Sequence, residues 1–172
     1  IFDNDQVYKG NRDLSKVPIY AVLKKIEREG SVEYQIQYLT FFGFNGAYKI
    51  GKIPFVNDLS LIDANAHEAD LEHMTVIVNV DKVTEAERLD KVYYGSHGTK
   101  EGVWLDAQSI KFFPGTTRPI SYVAKGGHGN YQNIGEWVRI FGFANDLTRE
   151  GKHWDPEVIR VYEEGEDGFD PK

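Results

Sequence analysis

Hydrophobic and polar positions alternate with a period of two along much of this chain. Between Val32 and Phe44, Tyr34, Ile36 and Tyr38 fall on one side against Gln35 and Gln37 on the other, before the run turns apolar throughout from Leu39 to Phe44. Side chains two apart share a face of a strand, so the pattern predicts a strand with one buried and one wet face, closed by the turn signal Phe44-Asn45-Gly46. Ahead of it Pro18 introduces Ile19 to Leu23, a second strand, and the charged stretch Lys24 to Glu29 with Gly30 reads as the hairpin between them. Thr75 to Val78 is rich in β-branched residues and predicts a strand starting near Asp70. Val92–Tyr94, Trp104–Leu105, Ile110–Phe113, Pro119–Ala124 and Trp137–Phe143 are further short candidates. Thr84 to Asp90 has the propensity for one or two helical turns, and Asp155-Pro156 suits the cap and first position of a short terminal helix. Residues 1–16 read as a polar arm and 47–64 as a loop with a short strand.

With no internal repeat and no long amphipathic helix, these short strands and their Gly, Pro and Asn turns predict a mostly β fold. We expect an antiparallel β-sandwich with little helix, one domain over residues 1–162 followed by an acidic tail, 163–172.

The densest chemistry lies where the central strand begins. Within His67 to His73 stand two histidines and three carboxylates. On a strand from Asp70, Asp70 and Glu72 project to one face with their Cα atoms roughly 7 Å apart, and His67 in the preceding turn can fold back over them. At an effective dielectric of about 20 their repulsion is about 2 to 3 kcal/mol. A cation, a neighbouring arginine or a proton held at raised pKa would relieve it; a turn whose charges face water is the plain alternative. Two carboxylates and one imidazole make an oxygen-dominated set that favours Ca²⁺, Mg²⁺ or Mn²⁺, with Zn²⁺ admitted by the histidine. Asp58 and Asp63 are near enough in sequence to join. His73 should point away from Glu72 and serve in packing.

Two further histidines sit in glycine-bearing turns after strands, His97 in Gly95-Ser96-His97-Gly98 and His128 in Gly126-Gly127-His128-Gly129. Junctions of this kind gather at one end of a sandwich, where His97, His128 and the nearby Tyr131 could contact a ligand. The glycine pair lacks the strand-to-helix setting of a phosphate loop, and Ser96-His97 lacks a nucleophile elbow.

Composition narrows the classes. The 172 residues suffice for one domain with a real core. A net charge of −7 without any Lys/Arg run argues against nucleic acid. There is no cysteine, which excludes disulfides, thiol catalysis and Cys-ligated zinc. No apolar run approaches the ~18 residues of a membrane-spanning helix. The chain opens on Ile, which hints at processing, trimming or an incomplete start, and a signal peptide could have been lost with it.

Four segments in order carry a family likeness. YQIQYLTFFGFNG resembles the Y-W-x-F-Y-x-x-N-G segment of the vacuolar protein sorting sixty-two type family, HEADLEHMTVIV its H-E-G-D-W-E-H segment, GSHG its shorter histidine turn, and RPISYVAKGGHGNY its H-P-V-x-Y-V-A-x-G-S-H-A-x-Y segment. The chain departs from the pattern at Ala69 (Gly), Leu71 (Trp) and Gly127 (Ser). The central segment is also similar, more distantly, to the G-H-R-H-D-W-E heptapeptide of the necrosis- and ethylene-inducing-peptide-like cytolysins, β-sandwiches that hold a divalent cation and bind sphingolipid head groups. That likeness implies His67, Asp70 and Glu72 as metal ligands, with Asp58 or Asp63 as a further one and Ala69 where a second histidine would stand.

Together these readings lead us to expect a non-enzymatic module in which a divalent cation, Ca²⁺ or Mg²⁺ ahead of Zn²⁺, presents a polar head group or glycan. Its setting would be secreted or peripheral to a membrane. A metal-assisted hydrolase using Glu72 or His128 as base, and a structural component of a larger protein assembly, are the alternatives.

Overall fold

A computed structural model describes residues 13–46, 48–49, 63–64, 67–97, 101–139 and 145–164. The alternating segments become strands: β1 (Ile19–Glu27), β2 (Ser31–Asn45), β3 (Tyr48–Lys49), β4 (Asp63–Ala64), β5 (His67–Asp81), β6 (Glu87–Tyr94), β7 (Val103–Asp106), β8 (Tyr122–Val123), β9 (Asn130–Tyr131), β10 (Gly135–Trp137), β11 (Asp146–Thr148) and β12 (Ile159–Glu163). Six of them form one sheet in the order β12-β1-β2-β5-β6-β7, and the rest pair as the ribbons β3–β4, β8–β9 and β10–β11. The fold is mostly β, as the alternation predicts. Its large sheet is mixed, because β12 returns parallel to β1 while every other pairing in it is antiparallel.

Register follows the hydrophobic pattern. Ile36 pairs with Val76 and Tyr38 with Met74, and these in turn oppose Val92 and Tyr94, so one face collects the apolar side chains. Val76, Val92, Tyr94 and Ile110 are its buried centre, with Ile36, Tyr38, Met74, Leu105 and Phe112 packed round them. The chain after β7 lies over this face: Tyr94 donates its hydroxyl to the Ile120 carbonyl at 3.1 Å, and the Asn130 N–H donates to the Gly95 carbonyl at 2.8 Å.

Several local expectations give way to tertiary pairing. Thr84 to Asp90 is not helical. Asp81 accepts from the Val83 and Thr84 amides at 2.9 and 2.8 Å to build a tight turn, and Glu87 enters β6 with a register shift opposite Ile77/Val78; burying Leu89 and Val92 outweighs a propensity of tenths of a kcal/mol. Asp155-Pro156 caps no helix. Asp155 instead pairs with Arg118 at 2.8 Å, and the β-branched run that follows becomes β12. Ile110–Phe113 and Pro119–Ala124 shrink to one bridge, Phe112 with Pro119, and the two residues of β8. β10 ends at Trp137, and residues 140–144 lie outside the described residues, as do 1–12, 50–62 and 165–172. β12 includes Glu163.

Candidate functional site

β5 begins at His67, three residues before the predicted start. His67 therefore sits in the ladder opposite Asn45, not in a turn folded over the strand. Strict alternation would put His67 and Asp70, an odd number apart, on opposite faces. They approach nonetheless, His67 Nε2 lying 3.9 Å from Asp70 Oδ1, because Ala69 between them has φ +60° and resets the alternation. Left-handed backbone costs a residue with a Cβ roughly 1–2 kcal/mol, which explains why the resembled segment carries Gly at this position. Ala69→Gly should raise stability by about 1 kcal/mol after glycine's own entropy is counted, read as a higher urea midpoint at unchanged m-value.

The second oxygen of Asp70 meets another histidine. His128 Nδ1 lies 3.0 Å from Asp70 Oδ2, so Asp70 stands between two imidazoles. His128 has φ +52° in its turn, and its ring lies flat on Phe42, centroids 4.0 Å apart and planes within 1°. Phe42 is the cross-strand partner of Asp70 and meets Trp154 edge-on at 5.8 Å. Beyond His128 opens a cavity of about 770 Å³ walled by Phe42, Phe113, Tyr122 and Trp154. His128 is thus aimed by a carboxylate behind it and presented to an aromatic chamber.

Glu72 shares the inward face with Asp70, as predicted, opposite Thr40. It is buried, and no described side chain donates to its carboxylate. Burial first, then the charges of Asp70 and Asp146, push its pKa up to about 8. The folded carboxyl keeps a proton that the unfolded chain releases from about pH 4.5, so this residue's contribution favours folding less and less as pH climbs toward 8. Glu72→Gln should remove that loss, worth about 2 kcal/mol at pH 8 once partial solvation is allowed for, and flatten a plot of urea stability against pH.

Asp146 is the residue that sequence reasoning missed. It is 1% exposed, and one of its oxygens, Oδ2, takes both His97 Nε2 and the Tyr131 hydroxyl at 2.6 Å, with Arg139 Nη1 at 3.8 Å. Burial alone would raise its pKa; the His97 and Tyr131 hydrogen bonds and the His97 and Arg139 charges outweigh that and hold it below the usual carboxylate range. Burial and the bond to Asp146 push the Tyr131 phenol up. His97 and Tyr131, expected to touch ligand, are brought together on Asp146, and neither is a wall of the cavity. Its neighbour oxygen Oδ1 is buried without a hydrogen-bond partner among the described residues. Asp146 opens the three-residue β11 after residues 140–144 and has no patterned surroundings that would flag it. His73 points to the opposite face, stacked on Tyr93 at 5.6 Å, and burial lowers its pKa.

Two histidine turns gather, those of His97 and His128, while His67 stands on the strand itself. The His97 and His128 turns pack on each other at the end of the sheet where His67 and Asp70 stand. The family model described as Vacuolar protein sorting-associated protein 62 matches residues 2–157. The chain belongs to this family. No curated protein and no solved structure gives a match, and no match extends to the necrosis- and ethylene-inducing-peptide-like proteins. In this member of the Vacuolar protein sorting-associated protein 62 family all four resembled segments fall inside the matched span, and they supply β2, the Asp70 strand and both histidine turns.

Among the described residues no three His, Asp or Glu side chains stand close enough to hold a metal ion together. His67 and Asp70 converge, and Glu72 lies on the same face as Asp70, two residues further along β5. The unpartnered Asp146 oxygen and the crowding of Glu72 by two other carboxylates suit a cation electrostatically. Asp58 lies outside the described residues, and so does the side chain of Asp63, whose backbone pairs with Lys49 in the β3–β4 ribbon. A cation held by this family member would rest on Asp70, with water and His67 completing its shell.

Proposed function

We propose that the chain is a binding module for a polar head group or glycan, working at the end of the sheet where His67, Asp70 and His128 meet. The reading is supported above all by one arrangement: His128, fixed from behind by Asp70 and stacked on Phe42, faces a chamber with aromatic walls. Aromatic faces with a few fixed polar groups are what small polar ligands use for orientation. A divalent cation, Ca²⁺ or Mg²⁺ before Zn²⁺, would sit against Asp70, and such ions leave coordination positions that ligand oxygens can fill. The congestion of Asp70, Glu72 and Asp146 supports that part of the reading. A surface that takes head groups would work at the periphery of a membrane.

At an ion concentration about 100 times Kd, binding adds about 2.7 kcal/mol, a rise in Tm of about 5–10 °C for a chain of this size. Thermal scans with Ca²⁺ or Mg²⁺, repeated with excess chelator, should show that rise and its reversal. Titration of head-group sugars and phosphosugars, followed by amide NMR shifts, should move His128 and Trp154 first. His128→Asn keeps a residue that tolerates positive φ and should abolish those shifts. No change in Tm with either ion, together with no shift from any ligand, would reject the module.

The same Asp70–His128 pair also favours a second reading, a hydrolase in which the carboxylate orients the imidazole as general base. Turnover on an ester and phosphoester panel that vanishes in His128→Asn would decide for it.

A further inference from the structure

β2 runs well past the end of its neighbour β1. Their pairing stops at Tyr20 with Leu39, while β2 continues to Asn45. Pro18, which has no N–H to extend a ladder, precedes β1, and the chain turns away into the 3₁₀ turn Leu14–Lys16, secured by the Trp154 indole N–H donating to the Val17 carbonyl at 3.0 Å. Which residues of β2 are left facing this gap follows from the ladder. The His73 carbonyl accepts from the Gly95 N–H on the β6 side, so His73 and its partner Leu39 direct their backbone groups away from one another. Backbone direction alternates along a strand, hence Leu39, Phe41 and Gly43 all face the β1 side. Leu39 finds Tyr20 there. Among the described residues no strand or backbone hydrogen bond reaches Phe41 or Gly43 from that side.

This open edge is not on a featureless surface. Phe41 and Gly43 line the 770 Å³ cavity, Gly43 with backbone alone, and Val17, Phe113 and Trp154 stand among its other walls. Phe41 and Gly43 are both exposed, Phe41 by 55%. Arg149 is an exposed cation at the same cavity with no ion pair among the described residues, in a chain of net charge −7.

We infer that the Phe41–Gly43 edge of β2 receives an extended peptide of a partner protein, added as one more strand, with apolar side chains on the aromatic walls and a carboxylate toward Arg149. Two N–H and two C=O groups recurring every second residue, about 7 Å apart, match another peptide backbone and nothing in an acyl chain or a sugar. Pairing with the same edge of a second copy is the competing occupant, and the concentration dependence tested below separates it from a peptide. The inference uses backbone groups of β2 and not Asp70, but it shares the walls Phe113 and Trp154 with the head-group reading, so the two are told apart at the Phe41 and Gly43 amides and at His128.

A random heptapeptide phage library panned on the full chain supplies the probe. Enriched peptides, made synthetically, should alternate apolar residues with at least one acid and should slow hydrogen exchange at the Phe41 and Gly43 amides. N-methylation of the peptide at one set of alternate residues should weaken binding at least tenfold, while methylation of the other set leaves it within about threefold. Gly43→Pro, which removes a donor from the edge, should also cost at least tenfold; the methylated peptides keep the test decisive if that variant folds poorly. Failure to enrich any binder, binding indifferent to both methylation patterns, or protection of Phe41 and Gly43 that depends on protein concentration without peptide would each overturn it. Because Trp154 is a wall for both ligands, the head-group titration is judged at His128 and with no peptide present.

Discussion

Asp146→Ala should cost the fold about 3 to 5 kcal/mol, the range for removing one partner of a buried charged cluster and leaving the others uncompensated. Asp146 Oδ2 is the common acceptor for His97 and Tyr131, each at 2.6 Å, and both donors are largely shut off from water. Without the carboxylate, a buried phenol and an imidazole lose their partner at once, and the Arg139 guanidinium loses its nearest buried anion while keeping Glu101 at 2.6 Å. Asp146→Asn keeps the shape and one acceptor and should lose about 2 kcal/mol. Urea unfolding near neutral pH separates the two variants, and a loss under 1 kcal/mol in the alanine variant would mean that the cluster contributes little. Acid titration adds an independent check. The folded pKa of Asp146 lies below its unfolded value, so its stabilisation is present above about pH 4 and disappears as pH falls through the folded value. Glu72 acts in the other direction, losing ground from about pH 4.5 to about 8. The wild type should therefore be most stable in mildly acidic solution, with Asp146→Asn removing the acid limb and Glu72→Gln the alkaline one.

What could be read from the sequence was what period-two patterning and local chemistry determine. β2 was predicted almost to the residue because Tyr34, Ile36 and Tyr38 alternate with glutamines over a strand buried on one face. The shared face of Asp70 and Glu72 followed from the same rule, and so did the opposite face for His73. The rule fails at Ala69, where a positive φ in a residue other than glycine brings His67 toward Asp70; only the glycine in the resembled segment hinted at it. β12 was invisible as a strand because its parallel partner, β1, lies some 140 residues earlier in the chain, and nothing local marks so distant a pairing. Asp146 and the open edge of β2 escaped for the same reason: one is defined by His97 and Tyr131 arriving from other turns, the other by where β1 stops. The histidine turns were legible as candidates, yet their division into His128 facing the cavity and His97 held inside depends on which carboxylate each meets.

That division can be attacked with a single methyl group. At Gly129 an added Cβ would lie 2.3 Å from the Ser96 carbonyl oxygen and 2.9 Å from His97 Nε2. Neither neighbour is free to yield: Ser96 is buried with its hydroxyl donating to the Glu101 carbonyl, Gly95 next to it accepts from the Asn130 amide, and His97 is tied to Asp146. Gly129 is pinned too, its carbonyl accepting from the Ala124 N–H at 2.9 Å. Overpacking of this kind usually costs about 1–3 kcal/mol, and a backbone oxygen as the obstacle puts Gly129→Ala at about 3 kcal/mol or above. Gly151, whose Cβ would meet nothing and whose φ is unstrained, is the control: Gly151→Ala should stay within about 0.5 kcal/mol of wild type. Because Gly129 follows His128 directly, the shift should also draw the imidazole away from Asp70, so ligand-induced amide shifts at Trp154 should fade in Gly129→Ala under conditions where the variant is still folded. If Gly129→Ala instead matches the Gly151 control in urea and keeps those shifts, the His97 and His128 turns are not locked together and the cavity does not depend on their contact.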